Sequence, residues 1–137
     1  AYGYETKDNL QWIEWITPSG NLERINNHSL NMTYRNGNLP ENVIITKAAF
    51  LCEPKPPQEI EAILNTFLAE REKSQPTRGR TGGSTFKNPT TGLKAWQLID
   101  QAGCRGLKIG DAQVSEKHCN FLLNLGSATA ADLETLG

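Results

Sequence analysis

Basic side chains concentrate in one segment of the chain, residues 71–94. This segment holds six lysines and arginines and one acid, Glu72, which gives it a net charge of +5 in a chain whose overall charge is −1. Its centre, residues 82–89, reads Gly-Gly-Ser-Thr-Phe-Lys-Asn-Pro and combines flexible backbone N–H donors with hydroxyl, ammonium and amide groups. Such groups hold phosphate oxygens or a reacting carboxylate. The segment therefore predicts an anion site, and a solvated linker of the same composition stays an open alternative.

Two further side chains could contact a ligand. Arg35 follows Tyr34 in a polar loop, and its planar guanidinium suits a carboxylate, although an ordinary exposed arginine shows the same pattern. His118 lies beside Cys119, but the chain has only one other histidine, His28, and no further ligands at metal-binding spacing. We therefore expect no metal and assign His118 to a polar contact with a ligand, with a surface or core-edge histidine as the alternative.

The overall composition is that of an ordinary globular protein. The chain has 137 residues, 37% of them hydrophobic and 21% charged, which predicts one domain or one and a half. Its charge balance gives no electrostatic footprint for nucleic acid or an anionic membrane. No apolar run approaches 18 residues, the N-terminus lacks a signal-peptide pattern, and the three cysteines form no CxxC pair. We expect a cytoplasmic protein without nucleic-acid or membrane partners, and its oligomeric state stays open.

The elements that would position these residues alternate between strands and helices without a regular repeat. A turn cluster at residues 18–21 lies between apolar arms and favours a hairpin over residues 10–25, with a helix still possible for the first arm. Residues 42–53 are rich in Ile, Val and Phe and predict a well-buried strand. Short strands are expected near residues 107–110 and 121–125. The fold class that this mixture predicts is α+β.

Two helices have clear periodicity. The first carries apolar residues at i, i+3, i+4, i+7 and i+8, namely Ile60, Ile63, Leu64, Phe67 and Leu68. The second carries them at i, i+3, i+4 and i+7, namely Ala95, Leu98, Ile99 and Ala102. Between the two helices, residues 74–85 are rich in Gly, Ser, Pro and Thr, so we place a domain boundary there, at a linker or a functional loop.

The two ends of the chain predict a piece of a longer protein. The chain starts without Met, and a helix capped by Thr129, with Asp132 three residues on, has hardly begun when the sequence stops at Gly137.

Several ordered motifs together resemble one enzyme family. They are Gly-Ser-Thr-Phe-Lys-Asn-Pro at 83–89, the run Leu-Lys-Ile-Gly-Asp-Ala-Gln-Val-Ser-Glu-Lys-His-Cys-Asn-Phe at 107–121, and Asn124 followed by Ala-Thr-Ala-Ala-Asp at 128–132. Upstream, residues 1–5 look like the end of the family's Asn-Ala-Gly-Ala-Tyr-Gly segment, and Tyr34-Arg35 looks like its Tyr-Arg motif. The chain resembles the UDP-N-acetylenolpyruvoylglucosamine reductases, the MurB flavoenzymes of bacterial peptidoglycan synthesis, over its whole length.

The resemblance implies a redox reaction of cell-wall biosynthesis. In it, NADPH reduces FAD, and hydride then passes to the enolpyruvyl double bond of UDP-N-acetylglucosamine enolpyruvate, which gives UDP-N-acetylmuramate. Hydride addition leaves negative charge on the neighbouring carbon and its carboxylate, so the site needs a cation and a proton donor. By resemblance, Arg35 polarises the carboxylate and Ser84 donates the proton.

The remaining site residues also follow from the resemblance. Lys87, Asn88, Gln113 and His118 become candidates for holding the substrate and its diphosphate, whereas Tyr2 and Gly3 are assigned to the cofactor.

The family's pattern also sets the expected domains. Residues 1–74 would be the C-terminal part of a flavin-binding α+β domain, and residues 75–137 a truncated substrate-binding α+β domain. The family's Gly-rich flavin loops and a catalytic Glu would lie outside residues 1–137, so we expect this chain alone to bind FAD poorly and to turn over little. The rival class is a non-redox module that binds a UDP-sugar or another phosphate ligand.

Overall fold

The computed structural model describes residues 2–137, which form two compact units that divide between Lys55 and Pro56. Each unit combines helices with an antiparallel sheet. The predicted α+β class is therefore confirmed. The assignment of residues 1–74 and 75–137 to two functional domains stays a prediction.

The first unit is a three-stranded sheet with two short helices. The strands lie in the order β2-β1-β3, all antiparallel. Its elements are α1 (Thr6–Asn9), β1 (Leu10–Ile16), β2 (Leu22–Asn26), α2 (Asn27–Leu30) and β3 (Ile44–Phe50).

The hairpin predicted for residues 10–25 is confirmed as β1 and β2. Its turn closes where the Thr17 carbonyl accepts the Gly20 N–H at 2.9 Å and the Asn21 carbonyl accepts the Thr17 N–H at 2.9 Å. Gly20 has a φ of +85°, which glycine adopts without steric cost. The first arm is thus a strand and not a helix, and its Leu10, Ile13 and Trp15 pack with Leu30 as the buried core of this unit.

The strand expected at residues 42–53 exists, but the prediction that it is well buried is wrong. β3 is an edge strand, and its Ile44, Ile45 and Phe50 are exposed. A continuous apolar run indicates that a strand has two apolar faces, and it does not say which element covers them.

The second unit is a four-stranded antiparallel sheet in the order β4-β7-β6-β5 with three helices. Its elements are α3 (Pro57–Ser74), β4 (Arg80–Ser84), α4 (Ala95–Gln101), β5 (Lys108–Ile109), β6 (Ala112–Val114), β7 (Phe121–Asn124) and α5 (Ala130–Leu136). The sheet core contains Ala112, Val114 and Phe121. β4 lies inside the segment that was expected to be a linker or loop. The sequence did not predict this strand because its two glycines have low strand propensity.

The three predicted helices form, but their packing differs from the simplest expectation. α3 begins with Pro57 in its first turn, yet none of its residues is buried, and Leu64 and Leu68 are exposed. In α5, the Thr129 hydroxyl accepts the Asp132 N–H at 3.1 Å and the Asp132 carboxylate accepts the Thr129 N–H at 2.9 Å, which confirms the expected cap. No helix in residues 2–137 is long and apolar enough to cross a membrane.

Candidate functional site

A β-bulge sets the position of Ser84 at the end of β4. Thr81 pairs with Leu123 and Ser84 pairs with Phe121, so Gly82 and Gly83 together oppose a single residue of β7. Gly83 has a φ of +93°, and a Cβ atom on either glycine would meet nothing within 4 Å. A bulge of this kind turns the following side chain out of the regular ladder. Ser84 is exposed, beside open space that a ligand could approach closely.

Asn120 fixes the backbone that follows Ser84. Its side-chain oxygen accepts the Phe86 N–H at 2.8 Å, and its side-chain nitrogen donates to the Phe86 carbonyl at 2.9 Å. The Asn120 carbonyl accepts the Thr85 N–H at 2.8 Å. Asn120 is only 5% exposed, so the three bonds are shielded from water on the Asn120 side. The backbone of residues 85–86 is therefore held by one buried amide residue.

His118 lies two residues before Asn120, and its half-buried ring is close to two aromatic side chains. Its Nδ1 accepts the Asn120 N–H at 3.3 Å, which leaves the proton of the neutral ring on Nε2. The ring meets Phe121 edge-on with 4.9 Å between centroids and lies 6.1 Å from Trp96. Burial lowers the pKa of His118 from its ordinary value, with Arg105 adding to the effect. His118 is thus neutral near pH 7 and supports the Asn120 backbone.

The ion pair between Arg105 and Asp100 stabilises the turn that contains His118 and Asn120. The Arg105 guanidinium donates to the Asp100 carboxylate through two bonds of 2.7 Å and also to the Glu116 carbonyl. Two parallel bonds of this kind fix the geometry as well as the charge. The Arg105 hydrogen bonds hold the pKa of Asp100 below its ordinary value, and burial raises the pKa of the nearby Cys119 thiol.

The Asp100–Arg105 pair predicts an acid-dependent loss of stability. A carboxyl whose pKa is lowered in the folded state contributes stability above its unfolded pKa, and this contribution is lost as the pH falls through the lower folded value. We expect Asp100→Asn to destabilise the protein at pH 7 and to have a progressively smaller effect as the pH falls toward the lowered pKa of Asp100, because the parent then loses the same charge. Urea denaturation of both proteins between pH 7 and pH 3 measures this. A gap between the two curves that is constant with pH would contradict the expectation.

Three other predicted site residues, Asn88, Gln113 and Lys87, lie in the second unit. The Asn88 side-chain oxygen accepts the Ala95 N–H at 3.0 Å, at the start of α4, and therefore has a structural partner. Gln113 is nearly buried in β6, and its side chain donates to the Gly106 carbonyl at 3.3 Å. Lys87 is exposed on the loop after Ser84. Their roles as substrate contacts stay predictions.

Arg35 occupies a turn of the first unit. Thr33 and Asn36 exchange two backbone hydrogen bonds of 3.0 Å, so Tyr34 and Arg35 form the two-residue tip. Arg35 has a φ of +53°, a left-handed conformation in which the Cβ atom of an L-residue lies too close to the following carbonyl oxygen. Backbone strain of this kind is retained at functional positions more often than elsewhere.

An open cavity of about 460 Å³ borders this turn. Its lining includes Tyr34 and Arg35 together with Glu5 and Lys7, which form an ion pair at 2.7 Å. Upstream, Tyr2 and Gly3 lie in a turn in which both have positive φ, +55° and +88°. The two residues assigned to the cofactor thus share one turn.

Sequence reasoning missed the structural role of Asn120. The residue lay inside the motif at 107–121, but an asparagine between a cysteine and an apolar strand has no periodicity or spacing that distinguishes it. Its partner, Phe86, is 34 residues away, and the pairing of β4 with β7 that brings them together was not predicted. Within residues 2–137, no group of three or more His, Cys, Asp or Glu side chains could hold a metal ion.

Comparison with known proteins gives consistent results over both units. Residues 75–137 match the family described as UDP-N-acetylenolpyruvoylglucosamine reductase, C-terminal domain. Proteins named UDP-N-acetylenolpyruvoylglucosamine reductase from Gluconobacter oxydans and Rhizorhabdus wittichii are 53% and 56% identical to the chain over all 137 residues, which is 44% of each of those proteins. The crystal structure of UDP-N-acetylenolpyruvylglucosamine reductase (MurB) from Thermus caldophilus superposes with a TM-score of 0.82 at 35% identity, covering 95% of this chain and 47% of that one.

These matches confirm the resemblance found in the sequence. The chain spans a little under half the length of the relatives it matches, so the matches describe part of such a protein. Residues 75–137 therefore match the family of UDP-N-acetylenolpyruvoylglucosamine reductase C-terminal domains, and the chain as a whole is similar to one part of the reductases that carry this name.

Proposed function

We propose that the protein carrying this chain reduces UDP-N-acetylglucosamine enolpyruvate to UDP-N-acetylmuramate with NADPH through bound FAD, as an oxidoreductase of peptidoglycan synthesis. The observation that carries the proposal is the setting of Ser84, an exposed residue that follows a glycine bulge and precedes a loop held by the buried Asn120 amide, inside the segment that matches the reductase family. The names of the relatives favour this reaction over the non-redox module.

Ser84 is proposed as the proton donor. Addition of hydride to the terminal vinyl carbon breaks the double bond and moves its electron pair onto the neighbouring carbon and the carboxylate. That enolate carbon is basic enough to take a proton even from an alcohol. Transfer of the Ser84 hydroxyl proton to this carbon completes the product, and the alkoxide left behind regains a proton from water.

Arg35 is proposed as the cation that stabilises the enolate. Its guanidinium can offer two parallel N–H donors to the substrate carboxylate, onto which the negative charge spreads. A fixed cation acts more strongly on the developing charge than on the ground state, so it accelerates the hydride step. Lys87, Asn88, Gln113 and His118 remain proposals for contacts to the substrate and its diphosphate.

Tyr2 and Gly3 are proposed to form one edge of a flavin site. A Cβ atom on Gly3 would meet nothing within 4 Å, so the Tyr2–Gly3 turn leaves room for a ligand to approach the backbone. A cofactor of this size is usually mostly enclosed, whereas the cavity beside Arg35 is open. Bound FAD would supply the hydride, and the steps assigned here are those of the chain's own residues.

The proposal is tested by cofactor retention and turnover. The protein carrying this chain is incubated with excess FAD, desalted and examined for the visible flavin absorption bands, and NADPH oxidation is then followed with and without the enolpyruvyl substrate. We expect retained flavin and substrate-dependent formation of UDP-N-acetylmuramate. Binding of the UDP-sugar by a colourless protein without turnover would instead support the non-redox module.

A further inference from the structure

The backbone is constrained both before and after Ser84 in the sequence. On one side, the Gly82–Gly83 bulge sets the direction in which the strand delivers Ser84. On the other side, the Asn120 side chain holds both the N–H and the carbonyl of Phe86. Glycines supply no stiffness of their own, so the rigid constraint comes from Asn120.

Asn120 is itself fixed and has little freedom to move away. Its backbone N–H donates to His118, and its neighbour Phe121 belongs to β7, directly opposite Ser84. The Asn120 side chain is buried and uses its oxygen and its nitrogen on the same peptide residue. A bidentate contact of this kind fixes orientation as well as distance. A shift of Asn120 therefore shifts the backbone one and two residues after Ser84.

We propose that Asn120 is a positioning residue for proton transfer by Ser84. It acts by holding the loop that directly follows Ser84, the residue that carries the hydroxyl. A displacement of about 1 Å can cost about 100-fold in rate, because proton transfer needs the donor within hydrogen-bond reach of the accepting carbon. This inference rests on the proposed function and adds to it the residue that keeps the proton donor in place.

The experiment compares Asn120→Ala and Asn120→Asp with the parent enzyme as the flavin-loaded protein. We expect Asn120→Ala to lower kcat about 10- to 100-fold with KM changed less than about 3-fold. Asn120→Asp keeps the acceptor for the Phe86 N–H but places a buried carboxylate oxygen against the Phe86 carbonyl, so its loss at pH 7 is at least as large. The solvent deuterium isotope effect on kcat rises in both variants because protonation becomes slower.

Asn124 supplies a matched control at the other end of the same strand. Its side-chain oxygen accepts the Ala128 N–H at 3.1 Å, and its nitrogen donates to the Ala128 carbonyl at 3.3 Å, so it makes the same two-way contact with a different loop. Asn124→Ala is expected to lose thermal stability to a similar extent while kcat and its isotope effect stay at the parent values. Hydrogen exchange of the Phe86 amide should accelerate in Asn120→Ala and stay unchanged in Asn124→Ala.

The outcomes separate the inference from the proposed function. If the parent enzyme turns over and Asn120→Ala does so at the parent rate and isotope effect, the positioning role is wrong and the proposed function stands. An equal loss of kcat in Asn124→Ala also overturns the positioning role, because general destabilisation then explains both. If the parent enzyme does not reduce the enolpyruvyl substrate, the proposed function fails and the inference fails with it.

Discussion

Replacing Ser84 by alanine is expected to lower the rate of substrate reduction by about 10³-fold, within the range that a general acid contributes. The enolate formed by hydride addition would then have to take its proton from water. The first half of the reaction, oxidation of NADPH by FAD, does not involve this proton. Stopped-flow measurement of the two half-reactions should therefore show flavin reduction at the parent rate and slow reoxidation by the substrate.

Ser127→Ala is the matched control for Ser84→Ala. Ser127 is an exposed serine of the same unit, and its backbone N–H donates to the Asp111 carboxylate. Its substitution removes the same atom without touching β4 and should leave both half-reactions unchanged. If Ser84→Ala slows flavin reduction and reoxidation equally, Ser84 does not act as the proton donor and the effect lies in folding or cofactor binding.

The sequence predicts local elements well because their causes are local. The turn at residues 18–21 and the Thr129–Asp132 cap depend on residues within a few positions of one another. The helices α3 and α4 follow from the spacing of their apolar residues alone. What covers an apolar face is not local, and this is why the burial expected for residues 42–53 was wrong while the strand itself was right.

In the candidate site, too, the sequence predicts what depends on local motifs and misses what depends on long-range contacts. Ser84 and Arg35 could be named from the motifs around them, since each lies in a short run of distinctive residues. The Gly82–Gly83 bulge and the Asn120 contacts needed the register between β4 and β7. The register between two strands about 40 residues apart depends on which of their faces the sheet buries. A short strand with two glycines has too weak a hydrophobic pattern to predict which face is buried.

Replacing Arg35 by asparagine is expected to separate folding from catalysis. Residues 31, 38 and 42 of the same loop region are asparagines with positive φ, because the short amide side chain tolerates this backbone. Arg35→Asn should therefore keep or raise the free energy of unfolding, measured by urea denaturation. The variant lacks the cation that stabilises the enolate, so kcat/KM for the enolpyruvyl substrate should fall about 10²- to 10³-fold.

Two comparison variants show whether the guanidinium itself matters. Arg35→Lys keeps the positive charge and loses the planar pair of donors, so its activity should lie between those of the parent and Arg35→Asn. Arg24 is another exposed arginine of the first unit, 3.9 Å above the Trp12 ring and bonded to Glu14, and Arg24→Gln should leave activity unchanged. If Arg35→Asn is both stable and fully active, the strained backbone at Arg35 has no catalytic purpose, and the carboxylate must be stabilised by another cation.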